Sequence, residues 1–141
     1  MRTIKELSVE AKLENMVSVL EFINEQITNY TNCSTKIQNQ ISIAIDEIFS
    51  NIIKYSYSFE IGIVLVRITV EDDITIEFED SGIPFNPLAQ NNPDISLPLE
   101  KRDTGGLGVF IVKNIMDSVE YKYINNKNHL TIKKHLKNII K

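Results

Sequence analysis

With 141 residues, 43% of them hydrophobic, the chain has the length for one domain with one sizeable core. A formal net charge of −4 with no basic stripe argues against direct nucleic-acid binding, and a lone cysteine, Cys33, excludes an intramolecular disulfide or a cysteine metal cluster. No apolar run approaches the ~18 residues of a membrane span, and Met1-Arg2-Thr3-Ile4-Lys5-Glu6 lacks a signal-peptide core, so the reading is a cytoplasmic protein.

Ile4, Leu7 and Val9 among polar neighbours predict a short edge strand over residues 2–9. From Ala11 to Tyr30, Leu13, Met16, Val17, Leu20, Ile23 and Ile27 recur at helical spacing and predict one apolar face. Thr31-Asn32-Cys33-Ser34 breaks that pattern and supplies N-cap residues. A second helix then runs from about Thr35 to about Tyr57, its apolar arc made by Ile37, Ile41, Ala44, Ile45, Ile48 and Ile52. Glu47 and Asn51 stack on one face at the edge of this arc, whereas Asp46 points away with Ser50 and Ile53.

Residues 61–71 are rich in β-branched side chains and predict a strand, followed by a turn at Asp72-Asp73. Ile74-Thr75-Ile76-Glu77-Phe78-Glu79-Asp80 alternates strictly, so Asp80 shares the inward face of Ile74, Ile76 and Phe78. An inward carboxylate is costly unless something satisfies it. Residues 81–104 hold prolines at 84, 87, 93 and 98 and read as a long loop, of the kind that serves as a lid. An apolar helix follows over about 105–117, led by Gly105-Gly106-Leu107-Gly108. Residues 119–124 and 129–136 predict two strands joined by Asn125-Asn126-Lys127-Asn128. The order β-α-α-β-β-lid-α-β-β predicts a two-layer α/β sandwich.

Three polar groups bear chemistry. Asn51 offers a carbonyl oxygen suited to Mg²⁺, and Glu47 a base; two solvated helix residues is the plainer alternative. Asp80 suits the exocyclic amine of a base such as adenine, with Gly82 permitting close approach of a ring; an Asx turn is the alternative. The glycine-led helix start suits phosphate, although such glycines also serve simple turns.

Glu47-Ile48-Phe49-Ser50-Asn51-Ile52-Ile53-Lys54-Tyr55, Asp80-Ser81-Gly82-Ile83-Pro84-Phe85-Asn86-Pro87 and the segment from Gly105 to Asp117 together resemble the three nucleotide-binding boxes of the GHKL ATPase superfamily. The Pro84-Phe85 pair and the Gly-Gly-Leu-Gly run ending in Met116-Asp117 resemble most the small anti-sigma-factor serine kinases. The resemblance implies one histidine kinase-like domain over residues 1–141, an α+β sandwich with a mixed, mostly antiparallel sheet, three helices on one face, and an ATP lid over about 85–104. It implies Mg²⁺ on Asn51, Glu47 as general base for a serine hydroxyl, and adenine on Asp80 over Gly82. Thr104, Gly105, Gly106, Leu107 and Gly108 would bind the nucleotide, and Lys101 and the catalytic Arg102 would neutralise phosphate charge.

The implied function is an ATP-dependent protein-serine kinase that phosphorylates a small anti-sigma-factor antagonist and sequesters a sigma factor, and the resemblance also suggests a homodimer. A non-catalytic, nucleotide-gated binding module is the alternative. Asn86 stands where the family commonly has aspartate, and Tyr55 where many members have histidine. His129, His135 and Cys33 match no box and read as surface-strand and cap-region residues.

Overall fold

A computed structural model of the chain describes residues 2–89 and 107–136. Five strands, β1 (Thr3–Glu10), β2 (Ile63–Val70), β3 (Asp73–Asp80), β4 (Ser118–Ile124) and β5 (Lys127–His135), form one sheet in the order β1-β2-β3-β5-β4. All four pairings are antiparallel, which meets the expectation of a mostly antiparallel sheet without exception among the described residues. The helices are α1 (Met16–Tyr30), α2 (Thr35–Asn51) and α3 (Leu107–Ile115).

The sheet obeys period two. Val64, Val66, Ile68 and Val70 of β2, Ile74, Ile76 and Phe78 of β3, and Leu130 and Ile132 of β5 are buried in one core with the helices. The opposite face is polar: Arg67 bonds Glu6 at 2.7 Å and Glu77 at 3.4 Å, and Lys127 bonds Glu79 at 2.9 Å. His135 meets Asp73 at 2.8 Å on the same surface. Such half-exposed pairs contribute little to stability, and the apolar layer supplies most of it.

Helix α1 departs from its predicted face. Leu13 and Val17 are 70% and 60% exposed, whereas Val19 is fully buried. The reason is phase: Leu13 lies in a 3₁₀ turn, Leu13–Asn15, and the α-helix begins only at Met16, turning Met16, Val19, Ile23 and Ile27 inward. Helix α2 starts where its cap predicts, with the Ser34 hydroxyl accepting the Ile37 N–H at 3.2 Å. Its buried arc is wider than expected and includes Phe49.

The end of α2 is not regular. Ile52–Ser56 is a π-helical segment, closed by a Tyr57 N–H bond to the Ile52 carbonyl at 3.0 Å. Such turns are uncommon and concentrate at functional sites. The β4–β5 hairpin is also tighter than predicted. Asn125 and Asn126, at φ 56° and 61°, make a two-residue turn, and Lys127 and Asn128 belong to β5 rather than to the connection. Asparagine tolerates the left-handed region that such a turn requires.

Candidate functional site

The cleft lies between α2, α3 and the ends of β3 and β5. Glu47, Asn51, Asp80 and Asn128 line it together with Ile48, Ile52, Val109, Val112 and Leu130, and Phe85, Pro87 and Leu88 also border it. Glu47, Asn51 and Asp80, more than thirty positions apart at the extremes, thus face one cavity.

Asp80 ends β3 and is only 3% exposed. Its inward position is the one that strand parity predicts, and its partners are now visible. The Asn128 amide donates to Oδ1 at 2.9 Å, and the Gly82 N–H donates to the same oxygen at 2.9 Å. The Ser56 hydroxyl, presented by the π-helical segment, adds a third bond. Burial pushes the Asp80 carboxyl above its ordinary value, against the opposing pull of those bonds.

Gly82 is required by contact. A Cβ there would lie 2.2 Å from the Ser56 carbonyl oxygen, and the Ile83 N–H bonds that same oxygen at 2.9 Å. The close approach that Gly82 permits in this structure is therefore to the backbone beneath Asp80. Tyr57 braces the region: its hydroxyl donates to the Ile63 carbonyl at 2.9 Å and accepts the Ser81 N–H at 2.7 Å.

Glu47 and Asn51 sit half-buried on the shoulder of α2, at the edge of its apolar arc as the helical spacing predicts. Ser50 donates to Asp46 at 3.4 Å on the outer side, away from the cleft. Burial raises the Glu47 pKa; nearby Lys54 opposes this and nearby Asp46 adds to it. Gly108, in the first turn of α3, packs on the Glu47 carboxyl so closely that a Cβ would lie 1.8 Å from Oε1. The base candidate thus faces the start of the helix whose N–H groups suit an anion.

The two departures from the family pattern have local partners. Asn86 caps a turn by accepting the Leu88 N–H at 2.9 Å, and Tyr55 stacks on Phe85 with ring centroids 4.6 Å apart. Of the other predicted site residues, Lys101, Arg102, Thr104, Gly105 and Gly106 lie outside the described residues, as does the lid beyond Ala89; Leu107 is described only as the first residue of α3.

Sequence reasoning missed Ser56 and Asn128. The π-helical register that presents Ser56 has no sequence signature. Asn128 had one: counting back by twos from Ile132 and Leu130 places it on the inward face, opposite Asp80 in the β3–β5 register.

A cleft on a two-layer antiparallel sandwich, floored by a strand-end aspartate and bordered by a helix bearing Glu and Asn, is the arrangement that the sequence motifs lead one to expect. The chain belongs to the histidine kinase-like ATPase domain family, which residues 9–134 match. Its relatives include the serine-protein kinase RsbW of Bacillus cereus strain AH187, 29% identical over 120 residues that cover 82% of this chain and 74% of that one. RsbW of Bacillus mycoides strain KBAB4 is 27% identical with the same coverage. In fold, the chain is similar to a solved Mycobacterium tuberculosis structure of RsbU and RsbW domains, at a TM-score of 0.65 and 9% identity. That match covers 99% of this chain and spans about a third (32%) of the other. The resemblance to the serine-kinase branch is borne out by these relatives.

Proposed function

We propose that the chain is a Mg-ATP-dependent protein-serine kinase whose substrate is a small anti-sigma-factor antagonist, and that it also sequesters a sigma factor as a cytoplasmic homodimer. The observation that carries the reading is the meeting of Glu47, Asn51 and Asp80 around one cleft, with Gly108 of α3 packed on the Glu47 carboxyl.

The residues present fit the nucleotide. Asp80 is a buried acceptor, fixed in place and suited to an exocyclic amine. Mg²⁺ typically takes one or two protein oxygens and completes its shell with water and phosphate; Asn51 is the side chain that would hold it. Bound Mg-ATP supplies the transferable phosphoryl group and neutralises its charge. Glu47 takes the proton of the incoming serine hydroxyl. Its raised pKa makes it a stronger proton acceptor than an exposed glutamate. The first N–H groups of α3 steady developing negative charge without rearrangement. Arg102 and Lys101 add positive charge, and Thr104 to Gly108 hold the phosphates.

Incubation of the chain with radiolabelled ATP, magnesium and the antagonist tests the reading. Wild type labels a serine of the antagonist, and Glu47→Gln loses ~10²–10⁴ of the rate while ATP affinity changes little. Equal labelling by the two proteins, or none by wild type that binds ATP, returns the chain to the class of nucleotide-gated binding modules.

A further inference from the structure

Asn128 is 3% exposed and lies in the middle of the base end of the cleft. Its amide nitrogen donates to Asp80 Oδ1 and to the Ile83 carbonyl, each at 2.9 Å. Its carbonyl oxygen accepts the Phe85 N–H at 3.0 Å and the Tyr121 hydroxyl. Both donors and both lone pairs are therefore used. A flipped amide would set oxygen against the Asp80 and Ile83 oxygens, so the network permits one orientation. With no capacity left over, Asn128 does not itself touch a base; it acts through Asp80.

We propose that Asn128 is the positioning residue of the base pocket, fixing the Asp80 carboxylate and the first residues of the lid as one hydrogen-bonded unit on which selectivity for a 6-aminopurine depends. The bonds from Asn128 and from Gly82 converge on the same Asp80 oxygen and pin the rotation of the carboxylate. The bonds to Ile83 and Phe85 fasten the start of the segment that borders the cleft, where Phe85 stacks on Tyr55. Tyr121 anchors the amide from β4. A carboxylate free to rotate or to take up a proton distinguishes an amine from a carbonyl poorly, because its acceptor is no longer aimed.

The inference rests on the ATP reading above, and the test separates the two. Calorimetric titration of the full chain with Mg-ATP and with Mg-inosine triphosphate, which carries a 6-oxo group, gives an affinity ratio for each variant. Wild type prefers ATP strongly. In Asn128→Ser the ratio falls by about tenfold, the worth of a hydrogen bond to a charged group, and ATP affinity supplies most of that fall. Tyr121→Phe loosens the amide without removing it and shifts the ratio in the same direction by a few-fold. A folded Asn128→Ser chain with the wild-type ratio, both nucleotides weakened equally or not at all, overturns the proposal. Should Asn128→Ser fail to fold, an unchanged ratio in Tyr121→Phe overturns it instead. Wild type that binds neither nucleotide, or binds both alike, overturns the ATP reading itself.

Discussion

The two ends of the cleft are built differently. At the base end, Asp80 and Asn128 are deeply buried on adjacent strands, and their side chains are tied into a network that also takes in Ser56, Gly82, Ile83, Phe85 and Tyr121. At the phosphate end, Glu47 and Asn51 are half-buried, with no hydrogen bond from either side chain to another described residue. Desolvation explains the contrast. A carboxylate sunk in a sheet must have protein partners, whereas one on a helix shoulder can be served by water. On the proposed reading, recognition of the base would be prepared in advance and the chemical end completed on binding.

Asp80→Asn breaks the prepared end and carries the largest expected effect, a loss of about a hundredfold or more in Mg-ATP affinity by calorimetry. The fold should survive it. Because burial lifts the Asp80 carboxyl above 3.8, the folded chain holds that proton more tightly than the unfolded chain. Stability therefore falls as pH rises through the window above 3.8, and the neutral amide removes that dependence. Thermal melts across pH check both statements.

Alanine at the two contact glycines sharpens the contrast. At Gly82 the added Cβ meets Ser56 backbone 2.2 Å away, which cannot swing aside, so Gly82→Ala lowers stability. The cost is about 1–3 kcal/mol, roughly 3–10 °C in Tm. At Gly108 the obstacle is the far end of the Glu47 side chain, which can move. Gly108→Ala should leave Tm nearly unchanged and reduce phosphate transfer by about tenfold or more, because the base is displaced.

A smaller change is a shift in a pH profile. With Glu47 as the proposed base, transfer would need it ionised, so activity would be present above its folded pKa and lost as pH falls through it. The acid limb should lie above the 4.5 of an ordinary glutamate, and Lys54→Met should move it higher still, since Lys54 pulls that pKa down. The smallest effect belongs to Tyr55→Leu, which removes the stack on Phe85. An aromatic pair contributes ~0.5–1.5 kcal/mol, so ATP affinity weakens several-fold by calorimetry and base selectivity is kept.

Much of this was legible from residue order. Strand parity put Asp80 inward, and helical spacing put Glu47 and Asn51 on one shoulder of α2; both need only the local period of the backbone. The failures came where a local irregularity reset the phase. A 3₁₀ turn rotated Leu13 and Val17 out to solvent. A two-residue turn at Asn125-Asn126 drew Asn128 into β5, and a π-helical register brought Ser56 beneath Asp80. These irregularities are decided by tertiary fit, and two of the three place a partner beside Asp80.

The widened turn at Ile52–Ser56 takes up about one residue more than an α-helical turn of the same rotation. Excising one residue there would therefore restore ordinary winding while leaving the chain on either side close to its present bearing. The extra residue is an insertion that the helix has absorbed locally, next to Asp80 and Gly82.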